Sequence, residues 1–352
     1  MKSGTYKAVF QAVLAAALFG ISSPISKILL TQIPPALMAA LLYLGAGLGM
    51  SLLNLVAHKT NGEVKEGQLT HSELPYIAGM IILDIAAPIC LMAGLTMTTA
   101  ANASLLNNFE IVATALIALI LFKEGIGKRL WIAISLITAA SIILSFEDLS
   151  SFSFSLGSVF VLLACVCWGF ENNCTKMLSF KNPMHIVILK GFGSGLGSLL
   201  IFLLAREPVG SLLYIPAALA LGFVAYGLSI YFYISAQRVL GAARTSAYYA
   251  VAPFIGTALS FGIFHDQPSL PFVIALLIMI TGAYFATSEK HSHLHNHPAI
   301  THEHRHSHGD GHHSHKHDEG VNGEHCHVHT HEECVHTHSH TPDLHHSHTH
   351  QS

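Results

Sequence analysis

Long apolar runs separated by short polar breaks dominate the first 288 residues of the chain. We count ten of them, most of them close to the roughly 20 residues that a helix needs to cross a hydrocarbon layer about 30 Å thick. They are residues 6–29, 35–57, 75–95, 98–122, 129–146, 156–178, 183–205, 212–236, 240–264 and 271–288. The strict apolar–polar alternation that is typical of membrane barrels is missing from these runs. The pattern predicts an all-α integral membrane protein with ten transmembrane helices.

Lysine and arginine are distributed unequally between the segments that connect these runs. If the N-terminus is cytoplasmic, the inner segments hold twelve of these residues and the outer loops hold only Arg206. Lys and Arg concentrate on the cytoplasmic side of membrane proteins. We therefore expect a multi-pass protein of the inner (plasma) membrane with both termini in the cytoplasm. The first run follows Lys2 and Lys7, and we interpret it as a retained span rather than a cleaved signal peptide.

Three motifs of the first half return in the second half in the same order. The pairs are LFGISSPISK (18–27) with CWGFENNCTK (167–176), GAGLG (45–49) with GSGLG (193–197), and AANASLLNNFEI (100–111) with AARTSAYYAVAP (242–253). The offset of about 142–149 residues spans five runs, and an odd number gives the two halves opposite orientations. This predicts an inverted repeat of residues 1–146 and 147–288. In secondary transporters such a repeat places the substrate site near the midplane.

Taken together, these motifs resemble those of the EamA family in the drug/metabolite transporter superfamily. The resemblance covers about residues 5–288 and includes the FKE and FHD sequences that close the fourth span of each half. It implies a ten-helix fold with a central cavity, and small-molecule transport, often export, that requires no cofactor. Ile111 stands where the family usually has proline, whereas Pro253 is kept in the second half. The acidic residue that closes the second half is Asp266.

Four ionisable residues lie deep within the predicted spans, namely Asp84, Glu110, Glu171 and Lys190. A charge that faces lipid costs about 2.5–3.5 kcal/mol, so four of them would cost on the order of 10 kcal/mol. We therefore expect them to face one another or a wet cavity, where they would recognise the substrate or carry protons. The alternative is a structural ion pair of Lys190 with Glu110 or Glu171.

Helical spacing adds neighbours to these charges. Asn107 shares a helix face with Glu110, Trp168 shares one with Glu171, and Asn172 flanks the latter. The predicted substrate or proton pathway consists of Glu110, Glu171, Lys190, Asp84, Asn107, Asn172, Trp168 and Tyr248. Three acids against one base favour a cationic or zwitterionic substrate, or a proton. Helix packing is the alternative for the uncharged members of this set.

Glycines recur at every second position in the seventh run, as Gly191, Gly193, Gly195 and Gly197. The spacing of these glycines resembles that of a phosphate-binding loop. They lie inside an apolar span, however, and no strand precedes them. We therefore interpret them as residues that let neighbouring helices approach closely.

Residues 289–352 have a different composition, because they hold 23 of the 27 histidines and few apolar residues. We expect this tail to be disordered and cytoplasmic, since it cannot bury enough apolar surface to fold alone. Imidazole and thiolate groups suit zinc, nickel, cobalt and copper. The predicted metal ligands are His291, His293, His295, His297, His302, His304, His306, His308, His312, His313, His315, His317, His325, His327, His329, His331, Cys326 and Cys334.

These observations predict a secondary transporter that moves a small solute by alternating access and binds transition metal with its tail. We expect export of a metabolite, a drug-like compound, or a metal or metal chelate. Only 11% of the residues are charged, and 17 Lys and Arg stand against 20 Asp and Glu. The low fraction of charged residues excludes an ordinary soluble enzyme. The near balance of basic and acidic residues excludes a nucleic-acid binder that relies on positive charge. The expected partners are therefore the lipid bilayer and a small-molecule or metal substrate, with a homodimer left open.

Two other functions remain open from the sequence. The first is a metal-buffering or metal-sensing membrane protein without transport activity. The second is an intramembrane enzyme, which would need catalytic or metal-binding groups at bilayer depth. The four histidines outside the tail all lie near the ends of runs, and we name no catalytic residue. They are His58, His71, His185 and His265.

Overall fold

The computed structural model describes residues 2–61, 73–123, 126–148, 153–178, 182–240, 245, 248–287, 291–297, 300–306, 325–331 and 334–340. These residues fall into two compact units. The first is the body up to Glu289, and the second lies within Lys290–Thr341.

Nine helical segments of the described body are long and apolar enough to cross a membrane. They are Thr5–Leu29, Pro35–Val56, Leu74–Met97, Ala100–Leu121, Lys128–Ser145, Leu156–Met177, Pro183–Ala205, Leu212–Ala236 and Leu270–Thr287. The shorter apolar helix Ala252–Phe264 lies ninth in chain order, and we number all ten as spans one to ten. The predicted all-α membrane fold is confirmed. Residues 241–244, 246 and 247 of the predicted run 240–264 lie outside the described residues. The described helix of this run is Ala252–Phe264, with Pro253 in its first turn, where proline is favoured.

Several spans consist of shorter helices that meet within the span. Span one is built from Lys2–Gly20 and Ser22–Leu29, and span four from Ala100–Leu106 and Phe109–Phe122. In span eight, the 3₁₀ turn Leu212–Tyr214 precedes the helix Ile215–Gly222, the π-helical segment Phe223–Leu228 and the helix Ser229–Leu240. The helix of span two continues to Asn61. Proline explains the break in span one, since Pro24 has no N–H to donate to the carbonyl of Gly20.

Each half of the body packs mainly on the other half. Spans two and seven are in contact, as are spans four and nine and spans five and ten. Span three packs on span six, and span one packs on span eight. If spans one to five are exchanged with spans six to ten, the same set of contacts results. A repeat of five spans produces this symmetry. The predicted boundaries at residues 146 and 288 stay predictions.

Glycines set the closest approaches between spans. A Cβ atom on Gly45 would lie 2.1 Å from the carbonyl oxygen of Leu219, and one on Gly191 would lie 2.5 Å from the Cα of Gly47. The other three glycines of the seventh run contact Leu44, Ile81 and Ile85 in the same way. Their interpretation as packing residues is therefore confirmed.

Spans four and nine end alike, on residues with left-handed backbone conformation. Lys123 has a φ angle of 54° and His265 one of 57°. The two positions are 142 residues apart, which is the offset of the fourth-span motif. The correspondence between the halves thus extends to the ends of these helices.

Six short strands complete the described structure. β1 (Phe146–Asp148) and β2 (Ser153–Phe154) pair between spans five and six. In the C-terminal unit, β3 (His291–His297) pairs with β6 (Cys334–His340), and β4 (Ile300–His306) pairs with β5 (His325–His331), both antiparallel. The alternating histidines of β3 to β6 match the two-residue period of a strand.

Candidate functional site

Three of the four predicted intramembrane charges form one ion network. The Nζ atom of Lys190 lies 2.9 Å from Oε1 of Glu171 and 3.2 Å from Oδ2 of Asp84. The exposed fractions are 8% for Lys190, 3% for Glu171 and 1% for Asp84. The three residues belong to spans seven, six and three, so the network forms only when the two halves pack together. Three of the four predicted charges thus face one another, whereas Glu110 does not take part in this network.

Two hydroxyl groups complete the surroundings of these acids. The phenol of Tyr43 in span two donates a hydrogen bond of 2.7 Å to Oδ1 of Asp84. The hydroxyl of Thr175 donates to Oε1 of Glu171, one helical turn away on span six. Carboxylates removed from water need hydrogen-bond donors in its place. These hydroxyls therefore fix the orientation of both carboxylates towards Lys190.

Glu110 lies apart from this network, at the crossing of spans four and six. The Nδ2 atom of Asn172 donates a hydrogen bond of 2.7 Å to Oε1 of Glu110 and lies 3.2 Å from the hydroxyl of Thr114. Among the described residues, no lysine or arginine nitrogen lies within 4 Å of its carboxylate. Of the two structural pairs considered for Lys190, the structure contains the one with Glu171. Glu110 is left with an amide as its hydrogen-bond donor.

The other predicted pathway residues lie in different surroundings. Asn107 is at the break in span four, where its side-chain oxygen lies 4.0 Å from the sulfur of Cys165. Trp168 is buried in the apolar core. Tyr248 is 38% exposed. Its neighbour Tyr249, rather than Tyr248 itself, joins the aromatic residues of the interior. The role of all three in a pathway stays a prediction.

A chain of aromatic rings that sequence reasoning did not identify connects spans two, eight, one and nine. The rings of Tyr43 and Tyr226 are 5.3 Å apart, and that of Phe19 lies 5.9 Å from both Tyr226 and Tyr249. The ring of Tyr249 is 4.9 Å from that of Tyr233. Tyr226 lies in the π-helical segment of span eight. Such segments are rare and frequently occur at functional sites.

A small cleft lies at the crossing of spans one, four and nine. Its lining consists of Phe19, Gly20, Ser23, Ser104, Asn107, Ala252, Pro253 and Gly256. It encloses about 180 Å³ including its mouth, and its interior has room for about one water molecule. The acids of the ion network are buried outside this cleft.

Metal ligation was predicted for the tail. Within the side chains that the structure describes, no group of three His, Cys, Asp or Glu residues is placed to hold a metal ion. Most of the predicted metal ligands belong to strands β3 to β6. The remaining ones lie outside the described residues, namely His308, His312, His313, His315 and His317. The metal-binding role of the tail stays a prediction.

Comparison with known families gives two matches to one model, that of the EamA-like transporter family. The matched segments are residues 6–146 and 155–288. They correspond closely to the two halves that the internal repeat delimits.

Two curated relatives of this chain are also named as transporters. An uncharacterized transporter of Methanothermobacter thermautotrophicus is 25% identical over 288 residues, which cover 77% of this chain and 83% of the relative. The uncharacterized transporter YyaM of Bacillus subtilis is 24% identical over 252 residues, which cover 68% and 81% of the two chains. A solved crystal structure superposes on 82% of this chain and 98% of its own with a TM-score of 0.57 at 17% identity. At that identity the likeness concerns the fold alone.

Proposed function

The chain belongs to the EamA-like transporter family, and we propose that it is a secondary transporter that moves a small solute by alternating access between its two five-span halves. The observation that carries this proposal is the ion network of Asp84, Glu171 and Lys190, which draws on both halves. A movement that separates the halves must part Asp84 from Lys190, since Lys190 and Glu171 both belong to the second half. Their contacts therefore favour one arrangement of the spans over another.

The balance of buried charge supports a positively charged cargo. With all four groups ionised, three carboxylates face one ammonium group, and Glu110 has no basic partner within 4 Å in the described structure. Glu110 is half-buried, and a charge partly withdrawn from water without an opposite charge is unfavourable. We infer that Glu110 takes up a proton or the cationic group of the solute, and that Asn172 orients its carboxylate. The solute class is then a cationic or zwitterionic metabolite, a drug-like amine, or a metal or metal chelate, and the direction we propose is export.

We also propose that the C-terminal unit binds transition metal on the cytoplasmic side of the membrane. The register of the strands sets six histidines opposite six others, in the pairs His291–His340, His293–His338, His295–His336, His302–His329, His304–His327 and His306–His325. Opposite positions in an antiparallel pair are neighbours across the ladder, and imidazole is a ligand for zinc, nickel, cobalt and copper. This register also favours a second candidate function, in which the protein buffers or senses metal without transporting a solute.

Flux in proteoliposomes tests the transport proposal. Uptake of a panel of amino acids, organic amines and divalent metals would be measured with and without a proton gradient. We expect the wild-type protein to move at least one cationic solute, and Glu110→Gln to lose the dependence on the gradient. Glu207→Gln is the matched control, because Glu207 lies just beyond span seven and its amide counterpart can still accept a hydrogen bond from the N–H of Ala36.

Two results would contradict the proposal. If Glu110→Gln and Glu171→Gln vesicles took up solute as fast as the wild type at every pH, the acids would have no part in transport. If no member of the panel moved while the full chain still bound metal, and deletion of residues 291–352 abolished that binding, the metal-buffering function would be favoured instead.

A further inference from the structure

Two oxygen atoms where spans one, four and nine meet lack a hydrogen bond that oxygens in such positions usually accept. Pro24 has no N–H, so the carbonyl of Gly20 cannot accept the helical hydrogen bond from four residues further on. Ser104 is 2% exposed, and its hydroxyl oxygen has no hydrogen-bond partner among the described residues. Gly20 and Ser104 both line the cleft of spans one, four and nine. Buried polar atoms without a protein partner indicate a ligand or a bound water.

Gly256 places these two oxygens around one point. A Cβ atom on Gly256 would lie 2.7 Å from the carbonyl oxygen of Gly20 and 2.9 Å from the hydroxyl oxygen of Ser104. The two oxygens are therefore less than about 6 Å apart, and both border the space that the missing side chain leaves. Two oxygens within this limit can both contact one small ion placed between them.

The equivalent crossing of the repeat, between spans six and four, is filled by side chains. The motif offsets relate Gly20 to Gly169, Ser23 to Asn172 and Ala252 to Glu110. At the span-six crossing, Asn172 and Glu110 are joined by a hydrogen bond of 2.7 Å. At the span-one crossing the smaller Ser23 and Ala252 leave the cleft between them. The chain thus carries one acidic site and one neutral, oxygen-lined site at corresponding places in its two halves.

The chemistry of the lining restricts what the cleft can hold. Oxygen atoms are available from Gly20, Ser23, Ser104 and Asn107, whereas the lining contains no titratable side chain. A proton could not be stored there, and a desolvated divalent cation would need carboxylate ligands. The C-terminal end of the helix Lys2–Gly20 contributes partial negative charge at Gly20. A site with room for about one water molecule and neutral oxygen ligands fits a small monovalent cation.

We propose that this cleft binds a sodium-sized monovalent cation through the oxygens of Gly20, Ser23, Ser104 and Asn107. A role for that cation in coupling rests on the proposed transport function, whereas its binding does not. The breaks in spans one and four flank the site. Occupation of the cleft would therefore fix the relative positions of these two spans against span nine.

Thermal unfolding of the purified full-length protein in detergent tests the binding. The Tm would be measured at constant ionic strength while sodium chloride replaces choline chloride, with potassium and lithium chloride for comparison. A cation that binds the folded state raises the Tm in a saturable manner. We expect such a rise with sodium, a smaller rise with potassium, and none with choline.

Two variants and one matched control locate the effect. Ser104→Ala removes one ligand, and Pro24→Ala restores an N–H that can take the carbonyl of Gly20 as its acceptor. We expect both to raise the half-saturating sodium concentration by about tenfold or more. Ser141→Ala is the control, because Ser141 is also 2% exposed with an unpartnered hydroxyl but lies in span five, away from the cleft. It should leave the sodium response unchanged.

The outcomes separate this proposal from the transport function. Equal Tm values in all four chlorides, or a sodium response that survives in both Ser104→Ala and Pro24→Ala, would overturn it, and the cleft would then be a water site. Because the measurement uses no solute, a protein that fails every flux assay can still show the sodium response. Solute flux without any sodium response would leave the transport proposal intact and refute only the cation site.

Discussion

Replacing Lys190 by methionine removes the single positive charge of the buried network. The carboxylates of Asp84 and Glu171 both lie within 3.2 Å of the Nζ atom, so they are at most about 6 Å from each other. At an effective dielectric constant of about 20, two negative charges at that distance repel by about 3 kcal/mol. Breaking a buried ion pair typically costs about 3–5 kcal/mol. We expect Lys190→Met to destabilise the protein by this amount.

The assay is thermal unfolding in detergent, followed by the loss of a monodisperse peak in size-exclusion chromatography. At about 2 °C per kcal/mol for a chain of this size, the apparent Tm should fall by about 6–10 °C. Asp84→Asn should cost less, about 1–2 kcal/mol, because one acid still faces one base and the asparagine oxygen can accept from Tyr43. Lys128→Met is the control for the same substitution at an exposed position, where changes stay within about 0.5 kcal/mol.

A triple variant separates charge from shape. Combining Lys190→Met with Asp84→Asn and Glu171→Gln removes all three charges while keeping similar volumes, and buried ion networks replaced in this way are often neutral in stability. We expect it to recover most of the Tm that the single variant loses. A triple variant no better than Lys190→Met, or a Lys190→Met protein as stable as Lys128→Met, would refute the electrostatic reasoning.

Two further predictions concern packing and the tail. Gly45→Ala places a Cβ 2.1 Å from the backbone of Leu219 and should force spans two and eight apart, with loss of folded protein in detergent extracts. Gly262→Ala, where a Cβ meets no atom within 4 Å, should instead raise the Tm through the lower entropy of the unfolded chain; equal behaviour of the two variants would contradict this. Because metal ligation needs neutral imidazole, zinc or nickel bound by the full-length protein should be released below about pH 6, and retention at pH 5 would exclude histidine ligation.

The spans could be predicted because few backbone structures can cross the hydrocarbon layer of a bilayer. Backbone groups in hydrocarbon must be satisfied within the helix, so a run of about 20 apolar residues determines its own structure. The body therefore follows from the sequence pattern. In span nine, Pro253 lies in the first turn of the helix Ala252–Phe264, inside a run that hydropathy treats as continuous.

The partners of the buried charges could be predicted only in part. The cost of charge in lipid required that Lys190 meet an acid, but spacing along one helix does not say which acid a neighbouring span presents. Tyr43, which completes the surroundings of Asp84, lies 41 residues away from it in the chain. The π-helical segment around Tyr226 has no sequence signature of its own. These contacts depend on how the spans cross, which the glycines determine through backbone approach.

The oxygen-lined cleft gives no signal in composition or motif. It results from three residues: Pro24 has no N–H, Gly256 has no Cβ, and the hydroxyl of Ser104 has no hydrogen-bond partner among the described residues. Sequence reasoning could note Pro24 and Gly256 separately, but only the crossing of spans one and nine shows that they meet.

The contacts between spans are the same when the two halves are exchanged, but the charged residues at equivalent positions are not. By the motif offsets, the counterparts of Glu171 and Lys190 are Ser22 and Leu42, and the counterpart of Asp84 lies within residues 226–232. All of these residues are uncharged. Two backbone arrangements that are equivalent by geometry are therefore unequal in energy, because only one of them brings the charged trio together. Such a molecule has a preferred resting state, and in the proposed alternating-access cycle the work of parting Asp84 from Lys190 is the threshold that a cargo must exceed.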